Sequence, residues 1–445
     1  MSAAESPTAQ VIAPTGRQIT VAAMAALFGW GLDLFDLFIL LYVAPIVGRL
    51  FFPASQPMLS LAGAYASFAV TLLIRPLGSA LFGSYADRKG RRKAMMVAIV
   101  GVGLSTAVFG LLPSVAQIGW WATVLFLAFR FIQGVFVGGV VASSHTIGTE
   151  SVPERARGLM SGAVGGGGSA MGGLLASLVF YAVTIVAPGD AFAEWGWRLM
   201  FFSGLLTTVI GLVLFRNLEE SPFFKALEHK KALQPQAVPT VSPVRRLFAR
   251  PFLSVFLINV IMTLGAGAGY YLTSGYLPTL LDLVNHTNAH TASLLLIGAN
   301  LAAAVGAMLF GEISQHVGRK PVFLWSAILR VVAFPTLFLT MASAGSLATL
   351  TLCVLALSFI ANGSYGPILI FLNERFPTEL RASGTGLSWN VGFALGGMMP
   401  TLVSLVSASA QALPMTLAIF SGAFSVLYLI GALIIPETKG ALSQG

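Results

Sequence analysis

The chain has 445 residues, of which 56% are hydrophobic and only 9% are charged, and its formal net charge is +9. A soluble domain carries about 25% charged residues, so this composition excludes an ordinary soluble protein and predicts that lipid covers much of the surface. The single cysteine, Cys353, excludes a disulfide framework and a cysteine-based metal site.

Apolar runs long enough to cross a membrane follow one another along the chain. A polar segment, 1–20, precedes the first run and lacks the features of a signal peptide, so we expect the first span to be retained. The longest connection, 217–252, follows the sixth run. The runs predict twelve spans near residues 24–48, 61–82, 94–112, 121–144, 158–187, 198–216, 253–277, 291–310, 322–342, 347–371, 383–407 and 413–435.

The basic residues are distributed unevenly between the two sides of these spans. With the N-terminus inside, 20 of the 25 Lys and Arg fall in inside segments and 2 fall outside. The other three, Arg75, Arg130 and Arg330, lie within spans. This asymmetry predicts that both termini are cytoplasmic. The net positive charge of the chain is thus explained by its orientation in the membrane. We therefore predict no nucleic-acid partner.

Two inside loops are repeated in the second half of the chain. The segment 83–92 recurs as 311–320, an offset of 228, and the E-x-x-P-x-x-x-R pattern of 150–157 recurs at 374–381, an offset of 224. Two related six-span halves can close on either side of one cavity at similar energy. The predicted division is a cytoplasmic tail 1–20, a six-helix bundle 21–216, a cytoplasmic loop 217–252, a second six-helix bundle 253–436 and a cytoplasmic tail 437–445.

Five short motifs carry a resemblance. Residues 83–93 follow the loop pattern G-x-x-x-D-R-x-G-R-R/K, and residues 130–139 follow the fourth-span pattern R-x-x-x-G-x-x-x-G. The segments R-P-L-G at 75–78, E-S-P-F at 220–223 and P-E-T-K-G at 436–440 resemble motifs of metabolite:proton symporters and sugar porters. Together they resemble the major facilitator superfamily. The resemblance implies an all-α membrane protein of twelve transmembrane helices in two pseudo-symmetric six-helix bundles, the major facilitator fold, which transports a small solute by alternating access.

Four charges lie within the first half's spans, where an unpaired charge is costly. Asp33 and Asp36 are three residues apart and share one face of span one. Asp36 lies about 18 Å above the inside end, level with Arg130, which is about 14 Å below the outside end of a core about 30 Å thick. Asp33 and Arg75 match at about 14 and 11 Å from the inside. We therefore predict two pairs, Asp36–Arg130 and Asp33–Arg75.

These pairs are candidates for proton coupling. If a substrate draws Arg130 away, Asp36 can take a proton, and Asp33 on the same face disfavours a second negative charge. The resemblance implies the same role, because proton-coupled sugar, aromatic-acid and sialate carriers have an Asp and an Arg at these positions. Relatives often carry Glu where this chain has Val140, so coupling rests on the two Asp, has moved to His145, or is absent. A static structural ion pair is the alternative.

The second half supplies most candidates for solute binding. Tyr270 and Tyr271 follow a glycine-rich stretch that suggests a bend in span seven, and buried amides either bind solute or join helices. Arg330 faces an anionic substrate or caps backbone carbonyls. We thus predict that the first half handles protons and the second selects the solute. The candidates for substrate binding are Arg130, Gln133, Tyr270, Tyr271, Asn300, Arg330, Asn362 and Asn390.

The repeated cytoplasmic motifs predict a charged latch that holds the inside end closed and breaks on opening, although a solvated run of charges is the alternative. The candidate latch residues are Gly83, Asp87, Arg88, Arg91, Glu150, Arg157, Glu374 and Arg381.

The sequence therefore predicts a secondary transporter that carries a small organic acid, such as a mono- or dicarboxylate or an aromatic acid, together with protons. The alternatives are a sugar or polyol porter, a drug/proton antiporter and a non-transporting nutrient sensor. No nucleophile–base or metal-ligand pattern appears, so we predict no enzyme activity, no cofactor and no metal. The predicted partners are the solute, protons and the lipid bilayer, and we expect a monomer in the inner cell membrane.

Overall fold

The computed structural model describes residues 16–89, 91–150, 154–216 and 243–441. Within these ranges, ten helices are long and apolar enough to cross a membrane. An eleventh span is the pair Leu27–Tyr42 and Ala44–Phe51, and the shorter apolar helix Met96–Leu111 falls on the third predicted run. The helices thus match the twelve predicted runs one to one, and the described ranges contain no strand.

We number the spans in chain order. They are Gly16–Tyr42 with Ala44–Phe51, Pro57–Lys89, Arg91–Leu111, Trp121–Glu150, Glu154–Val186, Phe192–Val213, Phe252–Leu283, Ala289–Val317, Arg319–Ala342, Leu347–Glu374, Thr378–Gly397 with Met399–Val406, and Ala410–Ile434. Most of the loop predicted between the halves, 217–242, lies outside the described residues.

Two spans next to the central interface are irregular. Span 1 bends by 63° where Pro45 enters the second helix, because proline lacks the N–H that would continue the hydrogen-bond ladder. Span 7 contains the wide π-helical turn Tyr271–Gly275, between Phe252–Tyr270 and Leu277–Leu283. Span 7 is therefore irregular where the glycine-rich stretch predicts it, and the two tyrosines at this turn, Tyr270 and Tyr271, contact Ser169 and Phe68 of the other half.

The two halves meet closely at one end, which we call the inner end and which the charges predict to be cytoplasmic. Spans 5 and 8 pack there through glycines: a Cβ added to Gly158 would lie 2.5 Å from the carbonyl oxygen of Gly311. The Ser161 hydroxyl donates to the Gly366 carbonyl (2.7 Å) and accepts from the Ile370 N–H (3.0 Å). These contacts close the inner end.

The opposite, outer end is closed as well. Tyr65 of span 2 shares a hydrogen bond with Thr279 of span 7 (2.7 Å), and its ring stacks on Tyr276 with centroids 4.9 Å apart. All three side chains are buried. The structure is therefore occluded, with both ends shut over the centre of the interface.

Replacing Gly158 with Leu is expected to open the inner end, because the backbone carbonyl of Gly311 cannot move aside cheaply. Overpacking costs about 1–3 kcal/mol, so labelling of a buried interface cysteine, Leu369→Cys in a Cys353→Ser background, should accelerate about 10-fold. Leu369 packs across the interface on Val164. Gly345→Leu is the control, since nothing lies within 4 Å of its Cβ position. Equal labelling rates in the two variants would contradict this view of the interface.

Candidate functional site

Asp33 and Arg75 form an ion pair inside the first bundle. The Arg75 Nη2 atom lies 3.3 Å from Asp33 Oδ2, and both residues are less than 5% exposed. The predicted contact between spans 1 and 2 is therefore present. Arg75 Nε finds no acceptor among the described residues, so the guanidinium keeps one unused donor, and the residue forms part of the wall of the central cavity.

Asp36 lies one turn further along span 1 and is equally buried. One of its oxygens accepts from the Thr106 hydroxyl and the other from the Gln133 amide. Gln133 in turn accepts from Arg130 Nη1 at 2.7 Å. The predicted direct contact between Asp36 and Arg130 is therefore wrong. Gln133 comes between them because it follows Arg130 by three residues on the same helical face, and its amide both donates and accepts.

Arg130 is fully buried and lies away from the cavity wall. Its guanidinium carbon sits 4.3 Å from the ring centroid of Phe109 and 5.3 Å from that of Phe126. Nε and Nη2 have no acceptor within the described ranges. This cation is therefore held by aromatic faces and one glutamine, and it reaches the carboxylate of Asp36 only through that glutamine.

The central cavity lies at the interface of the two bundles, between the closed ends. Arg75 and Leu72 contribute from the first bundle, and Asn390 and Ala394 from the second. Most of the lining is aromatic, from Trp30, Tyr270, Tyr271, Tyr365, Trp389 and Phe393. The structure thus places Tyr270, Tyr271 and Asn390 at the cavity, as the sequence suggests, and adds aromatic residues that the sequence analysis missed.

The missed residues are Trp30, Tyr365, Trp389 and Phe393. Trp30 precedes Asp33 by three residues and therefore shares its helical face, and Trp389 is adjacent to Asn390 in the chain. These spacings indicate that Trp30 and Trp389 could line the cavity. The indication is weak, since an aromatic residue in a span more often contacts lipid or packs in the core.

A second, smaller cavity lies further toward the outer end and contains Tyr42, Ser274, Asn300 and Ser358 in its wall. Asn300 Nδ2 donates to the Tyr42 hydroxyl at 3.2 Å and so joins span 8 to span 1. Asn362 donates to Ser274 Oγ (3.3 Å) and to the Ser358 carbonyl (3.1 Å). Both amides make contacts between helices, at or beside this outer cavity and not in the central one.

Arg330 lies inside the second bundle and outside the lining of either cavity. Its Nη2 donates to the Gly265 carbonyl at 2.8 Å, and its Nη1 lies 3.4 Å from Ser364 Oγ. The guanidinium carbon is 4.5 Å from the centroid of the Tyr428 ring. The sequence left two roles open for Arg330, binding an anionic substrate or capping backbone carbonyls, and these contacts match the second.

At the inner end, Arg319 binds Glu374 through two hydrogen bonds, Nε–Oε2 at 3.2 Å and Nη2–Oε1 at 3.1 Å. The Gln315 Oε1 atom accepts from Arg319 and from the Gly158 N–H of the other bundle, at 2.9 and 3.1 Å. Arg381 Nε donates to the Asn373 carbonyl at 3.1 Å. Of the predicted latch residues, Arg157, Glu374 and Arg381 therefore lie at this end. The contacts of the other five lie outside the described part of the structure; these are Gly83, Asp87, Arg88, Arg91 and Glu150.

Glu437, just after span 12, caps the start of span 9. Burial alone would raise the pKa of its carboxyl, but backbone N–H groups of Arg319, Lys439, Lys320 and Thr438 donate to it and hold the pKa below its ordinary value. The carboxylate is therefore ionised at neutral pH and fixes the C-terminal segment to the inner end of the second bundle.

Comparisons with known proteins agree with this architecture. A family model described as Major Facilitator Superfamily matches residues 19–391. The glycine betaine/proline/ectoine/pipecolic acid transporter of Dickeya dadantii (strain 3937) and the proline/betaine transporter of Escherichia coli (strain K12) are both 32% identical over 431 residues. The alignments cover 95% of this chain and 84% and 85% of those proteins.

Among solved structures, the xylose transporter XylE from E. coli in a partially occluded inward-open conformation matches with a TM-score of 0.73 at 20% identity. The match covers 95% of this chain and 99% of that chain. At this identity the likeness shows the fold alone.

Proposed function

We propose that this chain, which belongs to the Major Facilitator Superfamily, is a proton symporter for a small zwitterion with a carboxylate and a positively charged nitrogen. As a member of that family it is a multi-pass membrane protein and a secondary transporter, not an enzyme. Two relatives at 32% identity carry names with proline and betaine, and both solutes are zwitterions of this kind. These names do not support the mono- or dicarboxylate or aromatic acid that the sequence predicted, and the proposed zwitterion replaces it.

The observation that carries the proposal is the Asp33–Arg75 pair at the cavity wall, with a donor of Arg75 unused. A solute carboxylate is the natural ligand for such a guanidinium. When the solute binds Arg75, Asp33 loses its counter-charge. An ionised carboxylate without a partner is costly in this buried place.

Counting charges gives the coupling. Before the solute binds, Asp33 and Asp36 balance Arg75 and Arg130, so the cluster is neutral. The zwitterion adds no net charge, but its carboxylate takes Arg75 from Asp33 while its positive nitrogen lies at the other end of the solute. The two acids then have Arg130 as their nearest cation, and like charges one turn apart disfavour double ionisation. The acid pair then takes up one proton as a unit. Solute and proton therefore bind together and leave together.

We also propose that the inner end faces the cytoplasm, which the distribution of 20 against 2 basic residues supports. In that orientation a proton gradient directed inward drives uptake. The proposed working unit is a single chain, because the cavity, the charged cluster and both closures are built within one molecule.

Uptake into proteoliposomes tests this function. The solutes are glycine betaine, L-proline, a monocarboxylate, a dicarboxylate and xylose, with the interior one pH unit more alkaline and the membrane potential clamped. One proton per solute gives about 10-fold accumulation of the zwitterions, since one pH unit is worth about 1.4 kcal/mol. A protonophore, which collapses the pH gradient, should abolish this accumulation. Xylose uptake indifferent to the gradient, or a simple acid preferred over both zwitterions, would contradict the proposal.

A further inference from the structure

Five of the aromatic side chains at the central cavity form a cluster that we call the aromatic box. Its members are Trp30, Tyr270, Tyr365, Trp389 and Phe393. Trp30 meets Trp389 edge to face at 77° with centroids 5.7 Å apart, and Tyr365 meets Trp389 at 75° and 5.3 Å. These rings pack against one another edge to face, and the surface that they leave uncovered lines the central cavity.

The rings are fixed by contacts at their rims. Trp30 Nε1–H donates to the Gly165 carbonyl at 3.0 Å, and the Tyr270 hydroxyl shares a hydrogen bond with Ser169. Trp389 stacks on Phe393 at 4.4 Å and 14°. Because the polar groups of Trp30 and Tyr270 are already used, what these two rings offer a ligand is their π faces.

The chemistry of this lining points to a cation without N–H groups. Aromatic faces attract positive charge through the ring quadrupole, and this attraction is the basis of aromatic cages for methylated ammonium groups. A primary ammonium needs several strong hydrogen-bond acceptors, and the described residues that line the central cavity offer only the Asn390 amide and tyrosine hydroxyls, without an acid. A quaternary ammonium has no such need. A simple carboxylate anion would use Arg75 and leave the ring faces without a role.

The box and the charged cluster are complementary. Arg75, from span 2, supplies the positive pole of the cavity, and the Asn390 amide adds a polar group. With the solute carboxylate on Arg75, its ammonium group needs an environment that tolerates a cation. The aromatic faces provide such an environment without a negative charge. A further acid near Asp33 and Asp36 would change how many protons this acid pair takes up.

The box is divided between the bundles. Trp30 comes from span 1, whereas Tyr270, Tyr365, Trp389 and Phe393 come from spans 7, 10 and 11. Trp30 and Trp389 touch each other edge to face, so a cation held against the cavity side of this pair would contact both halves at once. Its binding favours the occluded state over either open state, as a transported solute must.

We propose that the aromatic box binds the methylated ammonium group of a short betaine while Arg75 binds its carboxylate, so that the site selects N-methylated zwitterions over primary amino acids. This inference rests on the proposed function and adds the site and the order of preference.

A methylation series tests the selectivity. Unlabelled glycine betaine, dimethylglycine, sarcosine and glycine compete with labelled glycine betaine for the purified protein in nanodiscs. Affinity should fall with each methyl group lost, by about 100-fold over the series. The neutral-headed analogue 3,3-dimethylbutanoate, which keeps the shape without the positive nitrogen, should bind at least about 10-fold more weakly than glycine betaine. Equal affinity for this analogue, or a flat series, would overturn the inference.

Two variants locate the preference. Trp389→Leu should weaken glycine betaine binding about 10-fold and flatten the series. Trp325→Leu should change neither, because Trp325 is 56% exposed and lines neither cavity. An unchanged series in Trp389→Leu would overturn the assignment. If Trp389→Leu fails to fold, Trp389→Phe keeps a ring face and should retain the series. Gradient-driven uptake of proline with a flat methylation series would refute only the box, whereas failure to bind any zwitterion would refute the proposed function itself.

Discussion

Replacing Asp36 with Asn is expected to abolish accumulation driven by a pH gradient while leaving counterflow exchange of solute intact. With Asn at this position, Asp33 and Arg130 remain as one acid and one cation when the solute takes Arg75, so the charge count no longer requires a proton. Binding and alternating access do not depend on that proton. Accumulation should therefore fall from about 10-fold to the level of passive equilibration.

The measurement compares uptake under an imposed gradient with exchange at equal pH, in the same proteoliposomes. Asp190→Asn, the same change at an exposed position between spans 5 and 6, is the matched control and should retain full gradient-driven uptake. Accumulation by Asp36→Asn at the control level would show that the acid pair is a static structural element.

A second large effect is expected at Arg75. Arg75→Gln leaves Asp33 buried without its partner, which costs about 3–5 kcal/mol, so the thermal unfolding temperature in detergent should fall. Asp33→Asn combined with Arg75→Gln removes both charges and should recover most of that stability, since replacing both members of a buried pair is often close to neutral.

The double variant separates stability from binding. It lacks the guanidinium that we assign to the solute carboxylate, so glycine betaine affinity should stay at least about 100-fold below wild type, as for a lost charge-assisted pair. Competition binding with the labelled solute, in the samples used for unfolding, provides the measurement. Wild-type affinity in the double variant would rule out Arg75 as the ligand.

The Asp33–Arg75 contact could be predicted from the sequence because helix rise converts residue number into depth, and few charges lie at each depth. The same arithmetic matched Asp36 with Arg130 in depth, and there it failed. Depth does not specify which side chain lies between two others. Gln133, one turn from Arg130, fills that place through two hydrogen bonds that only the packed structure shows.

The aromatic box could not be predicted for a different reason. Its members are on four spans, from Trp30 to Phe393, and nothing local distinguishes a ring that faces a cavity from one that faces lipid. Tyr270 and Tyr271 were found because a glycine-rich stretch marks an irregular helix. Trp389 also lies in a glycine-rich stretch, 384–397, but only the packing of the two halves brings it to Trp30.

The position of Arg330 has an evolutionary consequence. Spans 3 and 9 directly follow the motif repeated at an offset of 228, so Arg330 occupies the place that Val102 has in the first half. The first half has an aliphatic side chain there, whereas the second half has a buried cation that donates to the Gly265 carbonyl. The duplicated halves therefore no longer carry buried charge at equivalent places, and exchanging span 9 for span 3 would remove a cation from the core of the second bundle.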